Sequence, residues 1–396
     1  MSGTRSAFSL PLCGLLQGLI VLGYALRPSW YRPLVFVPIS LIAYYLTFRS
    51  ATGTAADVGL GSGITTQLLF AFNGIILTDV QKTLYRIGEQ PGQITSAPFR
   101  TRFAWGWHLH NSPRGVRWGH EVAHISKNPP SLNPPQNKKA FMFSRISMIC
   151  LFIGVQATFL VINTANPALA PGATPLYSQS IYIRVLSTLG LGIPGYAQIN
   201  VLHYIMSVIL VAVGISRPVD WPPLFGSPGA IYTVRGFWRK FWHQMLRGVL
   251  LNTTNFIIHT ILRIPYTSAK SSPRIKLILG LLKLHTVFLV SALVHAAGEF
   301  MMLGYGGSGA LYFFVLQAWA ITLEMAIQYL VTGSTRPSNK PPALIWRLLG
   351  YAWVVSWFIL VVPFMQQPMI EAGMFVTIPR SALTQKVTKL LALDVI

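Results

Sequence analysis

Ionisable side chains inside long apolar stretches are the first candidates for chemistry, because a charge in hydrocarbon is expensive and is kept for a reason. The stretch at residues 277–297 holds Lys283, His285 and His295, with Glu299 just beyond it. Around the last two the chain reads Ser291-Ala292-Leu293-Val294-His295-Ala296-Ala297-Gly298-Glu299-Phe300. An imidazole takes up a proton near neutral pH, so one that faces a cavity suits a general base. Small neighbours let another helix or a substrate come close to it. A purely structural histidine, hydrogen-bonded to a neighbouring helix, remains the competing reading. His295 and Glu299 lie four apart, on one helical face, so the carboxylate either orients the imidazole or sits at the membrane surface. Glu324 falls in the middle of a further apolar stretch. An unpaired carboxylate is costly there, which leaves open a pairing with Lys283, a hydrogen bond across helices, or a catalytic part.

A second constellation is Asp220-Trp221-Pro222-Pro223-Leu224-Phe225-Gly226, followed by Arg235-Gly236-Phe237-Trp238-Arg239-Lys240-Phe241-Trp242-His243-Gln244. The first part is a proline-stiffened loop with aromatic anchors. The second interleaves aromatics with Arg and Lys, which fits either an amphipathic helix at the membrane interface or cations that grip phosphates while the aromatics line an entrance. His203, His259 and His285 stand in apolar surroundings, and the sequence gives no ground to argue a pairing for them. His108, His110, His120 and His124 cluster in a polar loop, as an incidental group or a metal site; the spacing of zinc hydrolases is absent, and no metal is expected. The two cysteines, Cys13 and Cys150, have neither disulfide nor metal-ligand spacing and read as inert thiols.

The elements that must hold these residues are membrane spans. Of 396 residues 52% are hydrophobic and only 10% charged, with a mean hydropathy of +0.51, where an ordinary soluble domain is about 25% charged. A crossing helix needs about 20 mostly apolar residues. About eight spans are expected, near residues 10–26, 34–48, 60–77, 142–161, 196–215, 277–297, 310–331 and 343–365. The second is short, and the first reads as a span rather than a cleaved signal peptide. Residues 181–195 are apolar but broken by Arg184, Gly190, Gly192, Pro194 and Gly195, which predicts a re-entrant or interfacial helix. Residues 249–262 are too short to cross and predict an in-plane or buried helix. The fold class is therefore an all-α, polytopic transmembrane helical bundle. It forms one membrane-embedded domain over 1–396, with a cytosolic basic loop at 79–139 and a cytosolic or interfacial motif region at 216–276.

The charge is lopsided: 31 Lys and Arg against 9 Asp and Glu, or +22. Nucleic-acid motifs, phosphate-binding Gly-rich loops and dinucleotide turns are absent. The basic residues lie mostly between apolar blocks, as the positive-inside rule and anionic headgroups require; a cytosolic site for a polyanionic cosubstrate is compatible with this. Lys82, Arg86, Arg100, Arg102, Arg114, Arg117, Lys127, Lys138 and Lys139 crowd the first loop, where Pro129-Pro130 and Pro134-Pro135 forbid one continuous helix. Placing this loop in the cytosol puts the uncharged 163–180 loop on the lumenal side, and returns the 217–276 stretch and the loop with Arg336 and Lys340 to the cytosol. Both termini are then lumenal, and the Asn252-Thr253-Thr254 sequon stays out of reach of glycosylation. No internal repeat is visible, which counts against a proton-coupled transporter.

The ordered set Ser112-Pro113-Arg114-Gly115-Val116-Arg117-Trp118, Trp221-Pro222-Pro223-Leu224-Phe225-Gly226, Phe237-Trp238-x-x-Phe241-Trp242-His243 and Ser291-Ala292-Leu293-Val294-His295 resembles the wax synthase-like branch of the membrane-bound O-acyltransferases, above all its fungal secondary-metabolite members. The resemblance implies an acyl-CoA-dependent enzyme of the endoplasmic reticulum that esterifies an alcohol, with no bound cofactor. It carries the family's intramembrane histidine onto His295 and the polar residue of its Phe-Trp motif onto His243. Arg235, Trp238, Arg239, Trp242, Gln244, Glu299 and Glu324 are then the expected substrate and CoA contacts. The donor is expected to be acetyl-CoA and the acceptor a lipophilic terpenoid or polyketide-like alcohol, with long-chain wax ester synthesis as the alternative. In plant members a Glu directly follows the catalytic histidine; here Ala296 does, so Glu299 is the nearest carboxylate.

Overall fold

Long apolar runs fold as helices because a backbone in hydrocarbon must satisfy its own polar groups. The structure, a computed structural model, describes residues 5–122, 137–268, 270–334 and 342–375. His124, Lys127, both Pro-Pro pairs, Arg336, Lys340 and the chain beyond residue 375 lie outside the described residues. In chain order the helices are α1 (Leu10–Ala25), α2 (Phe36–Tyr44), α3 (Ala56–Ala71), α4 (Val80–Thr83), α5 (Phe99–His110), α6 (Lys138–Ala165), α7 (Ile181–Ala212), α8 (Val234–Gly236), α9 (Arg247–Asn255), α10 (Pro273–Leu303), α11 (Gly309–Thr332) and α12 (Leu344–Glu371). Among the described residues the strands are β1 (Ser6–Ala7) and β2 (Ser50–Ala51), paired in parallel.

Among the described residues six helical stretches are long and apolar enough to cross a bilayer: Ala56–Leu77, Lys138–Ala165, Ile181–Ala212, Pro273–Leu303, Gly309–Thr332 and Leu344–Glu371. These correspond to the third to eighth expected spans. The first, α1, has 16 residues. The second is the nine-residue α2 continued by a π-helical turn at Tyr45–Arg49. The re-entrant reading of residues 181–195 is corrected: they join residues 196–212 in the single 32-residue helix α7, with Pro194 inside it. At 1.5 Å per residue that helix runs about 48 Å, well beyond the hydrocarbon thickness. Transmembrane helices tolerate an internal proline where neighbouring groups take up the freed carbonyl.

The chain divides into two compact units, Met1–Ile125 with Gln244–Leu323, and Ser126–His243 with Glu324–Ile396. In the first, α1 packs between α2 and α5 over a core that includes Leu16, Ile20, Tyr24, Ile39, Trp105 and Trp118. The carbonyls at the end of α1 have no partner within the helix, and side chains from further along the chain satisfy them. Arg32 Nε donates to Gly23 at 2.9 Å, Gln81 Nε2 to Tyr24 at 2.7 Å and Leu26 at 2.8 Å, and Arg102 Nε to Ala25 at 2.8 Å. Cations at the negative end of a helix are favourable. Arg32 also bonds Asp79 at 3.1 Å and the Gly74 carbonyl at 2.7 Å. The start of the basic loop is thereby tied to α1.

Also in the first unit, α10 opens with Ser272 as N-cap and Pro273 in its first turn, and closes on Gly304 at φ +83°. It lies against α3 where Gly61 faces Gly298: a Cβ on Gly61 would meet the Gly298 Cα at 2.8 Å, and one on Gly298 the Val58 carbonyl at 2.2 Å. Only glycine lets the two backbones come this close.

The second unit pairs α6 with α7, which in turn packs on α12. Asn163 Nδ2 donates to the Gly190 carbonyl at 2.8 Å, so that the glycine that looked like a helix breaker is a close-approach site. Arg145, buried in α6, donates to the Trp221 carbonyl at 3.1 Å and lies over the Tyr204 ring at 4.6 Å, which anchors the proline-rich loop.

Candidate active site

His295 sits on α10 in the first unit, among the buried side chains of Ser291, Ala292, Val294 and Ala297, while its own ring is half-buried. Its Nδ1 is 2.9 Å from the Ser291 carbonyl, one turn earlier. A carbonyl only accepts, so Nδ1 carries the hydrogen and Nε2 presents the lone pair. The ring packs on Phe314 of α11, with centroids 4.3 Å apart and planes tilted by 41°. Backbone and aromatic together fix both tautomer and orientation. A neutral imidazole with one nitrogen tied down and the other aimed away from its own helix is what a general base requires.

Glu299 does not orient that imidazole, nor does it lie at the surface. It is buried, at 3% exposure, and its two oxygens accept from the amides of Gly309 at 3.1 Å and Ala310 at 3.0 Å. It caps the start of α11, where a helix leaves its first amides unpaired and favours negative charge. Gly307 leaves room for it, since a Cβ there would fall within 2.0 Å of Glu299 Oε1. Gln244, also in this unit, accepts from Arg247 Nη1 at 3.1 Å. His285 bonds Thr322 at 3.1 Å, and His259 Nδ1 donates to the Ile264 carbonyl at 2.6 Å.

The second unit assembles the aromatic-basic motif. Residues Phe237–Phe241 form a π-helical turn directly after α8. Gly226 N donates to the Phe241 carbonyl at 2.8 Å, and a Cβ on Gly226 would strike the Lys240 carbonyl at 2.0 Å. The Phe225 ring stands edge-on to Trp242 at 5.2 Å, and Phe237 stacks on Trp242 at 5.3 Å. The Trp-Pro-Pro-Leu-Phe-Gly loop is thus the bed on which the Phe237–His243 segment lies. Arg239 comes near enough to Arg235 to discourage the charge of Arg235. Partial burial is the larger cause that holds the Arg235 guanidinium below its usual range, with Glu324 opposing both. Glu324 does not pair with Lys283. Its oxygens accept from the Val234 amide at 2.5 Å, the Arg235 amide at 3.0 Å and the Trp353 indole at 2.9 Å, whereas Lys283 Nζ lies 5.8 Å over the Tyr266 ring.

The first basic loop is less available to a polyanion than its composition implies. Arg102 and Arg114 are buried, at 6% and 5% exposure. Burial pushes the Arg114 guanidinium down to about 10, against the pull of Glu121. Arg114 heads a tight turn in which Gly115 adopts φ +61° and Arg117 φ +62°, and the Val122 amide closes it onto the Arg114 carbonyl at 3.0 Å. In the histidine cluster of this loop, His110 Nε2 faces Gln17 Oε1 at 2.5 Å. Among the described residues no three His, Cys, Asp or Glu side chains converge to hold a metal.

Phe314 and Trp353 escaped the sequence reading, in which Ser291 stands only as part of a motif, not as the partner of the imidazole. A backbone carbonyl as orienting partner carries no residue signature, and the two aromatics look like ordinary membrane-span residues.

Residues 221–316 match the family described as Membrane bound O-acyl transferase family. The chain is 29% identical over 369 residues to the acetyltransferase eriL of Hericium erinaceus, covering 90% of each chain. It is 27% identical over 344 residues to the acetyltransferase ple2 of Rhodocybe pseudopiperita, covering 86% of this chain and 85% of that one. It is also 27% identical over 300 residues to the O-Mevalon transferase macI of Penicillium terrestre, covering 73% of this chain and 68% of that one. No solved structure matches.

Proposed function

From the premise that the chain is an integral membrane enzyme of the membrane-bound O-acyltransferase type, we propose that it moves an acetyl group from acetyl-CoA to a hydroxyl of a lipophilic secondary metabolite, of terpenoid, meroterpenoid or polyketide-like class, at the endoplasmic reticulum. The observation that carries the reading is the 2.9 Å contact of His295 Nδ1 with the Ser291 carbonyl, which supports Nδ1 as the donor and Nε2 as the base.

In the reaction the acceptor hydroxyl oxygen attacks the thioester carbonyl carbon as His295 Nε2 takes the hydroxyl proton. The C–O bond forms, a tetrahedral oxyanion collapses, and the C–S bond breaks. The imidazolium then returns its proton to the departing CoA thiolate, so the histidine is restored and the products are an ester and CoA–SH. The family resemblance assigns His243 to the handling of the acyl donor. Arg235 and Arg239 supply positive charge for the CoA phosphates, and Trp238 and Trp242 give the donor an apolar lining. Direct transfer fits an intramembrane base with no nucleophilic Cys or Ser assigned beside it.

The printed names of eriL and ple2 support acetyl as the transferred group, while macI is named for a different one. Long-chain wax ester synthesis stands as the second reading on the family resemblance. Microsomes that contain the protein, offered acetyl-CoA or palmitoyl-CoA with a lipophilic alcohol, separate the two. Acetyl ester is the expected product, and a strong preference for palmitoyl-CoA would overturn the acetyltransferase assignment.

A further inference from the structure

Glu324 is half-buried near the middle of a 24-residue apolar helix, where a carboxylate needs compensation. The compensation it finds is specific. Two of its three partners are consecutive amides, those of Val234 and Arg235, which open the helical segment Val234–Phe241. The amides at a helix start lack partners within the helix. Thr233 Oγ1 takes the next one, Gly236 N, at 2.8 Å. The Thr233 carbonyl takes Phe237 N at 2.9 Å. Every amide from 234 to 237 is therefore held, and Glu324 holds the first two from another helix. Its third partner, the Trp353 indole of α12, fixes the carboxylate itself.

The segment gripped this way carries Arg235, Trp238, Arg239, Trp242 and His243. Other contacts that locate it include Gly226 N on the Phe241 carbonyl at 2.8 Å towards its far end, Phe237 against Phe358 of α12 at 4.7 Å, and Phe225 against Trp242. Ring contacts permit sliding and rotation, whereas two directional bonds to one carboxylate pin the start of the segment.

We propose that Glu324 is a positioning residue, an intramembrane carboxylate that sets the register of the Arg235–His243 segment and through it the binding of the acyl-CoA donor. This inference rests on the functional reading above, because it takes that segment to be the donor site. Glu324 neither touches the donor nor moves a proton. A glutamine cannot replace it: one of its two polar atoms is an NH2, which would point at an N–H donor.

The test is steady-state kinetics in microsomes on Glu324→Gln, Glu324→Ala and Trp353→Phe, with His295→Ala in parallel. The KM for the acyl-CoA is expected to rise by about ten-fold or more in the Glu324 variants. A smaller rise in the same direction is expected in Trp353→Phe, which keeps the carboxylate but frees it. The KM for the alcohol moves little. Wild-type donor KM in the Glu324 variants overturns the inference, and so does a fall in kcat with donor KM unchanged. If the Glu324 variants fail to accumulate, Trp353→Phe decides by the same criterion. An active His295→Ala protein would sink the catalytic reading alone, while the donor KM of the other variants would still judge Glu324.

Discussion

At position 295 a backbone carbonyl takes the part that a carboxylate plays beside many catalytic histidines. Ser291 supplies it from the same helix, one turn away. The two carboxylates that the sequence offers nearby, Glu299 and Glu324, both cap backbone amides instead. Another histidine shows the opposite use of burial. His110, outside the spans, faces Gln17, and desolvation pushes its pKa down to about 4. Its folded value is below its unfolded one, so its contribution to stability is complete above about pH 6.5 and is lost as the pH falls toward 4. Denaturation in detergent is expected to show a loss on the order of 3 kcal/mol over that window from this ring. His110→Gln should flatten that part of the profile, and an unchanged slope in the variant would disprove the assignment.

The element that matters most is α10, and its position is set by backbone contact with α3. Gly298→Ala would put a methyl group 2.2 Å from the Val58 carbonyl and 2.3 Å from Ser62 Oγ. Backbone cannot yield locally, so the helices must part. The expected cost is on the order of 1–3 kcal/mol, with ester formation falling because His295 is one turn away. Gly14→Ala, where a Cβ meets nothing within 4 Å, serves as the control in the same thermal scan. Equal melting of the two variants would refute the crossing. Much at this scale was readable from hydropathy: the third to eighth expected spans recur, and the His295 motif lies on a continuous helix. What was not readable depends on neighbours. Gly190 looks like a breaker until Asn163 of α6 is seen against it, and Pro194 lies inside the continuous helix. The intramembrane position of Glu324 marked it as consequential but gave no hint that its partners are amides ninety residues earlier.

For the whole molecule, the excess of 31 basic over 9 acidic residues separates into two roles. Arg32, Arg102 and Arg145 are spent inside the fold on carbonyls and rings. Composition could not make that division, since a buried arginine and a lipid-facing one count alike. Arg235 and Arg239, on the segment whose first amides Glu324 holds, are the cations that the proposed function gives to the donor. Under the proposed function, membrane embedding lets a lipophilic alcohol and a soluble CoA ester approach from different phases. The account turns on His295 Nε2 as the base that begins the transfer, and one measurement addresses this most directly: the rate of acetyl ester formation by microsomes that contain His295→Ala at wild-type protein levels. The account predicts a fall of about 100-fold or more. Ester formation within a few-fold of wild type would contradict it.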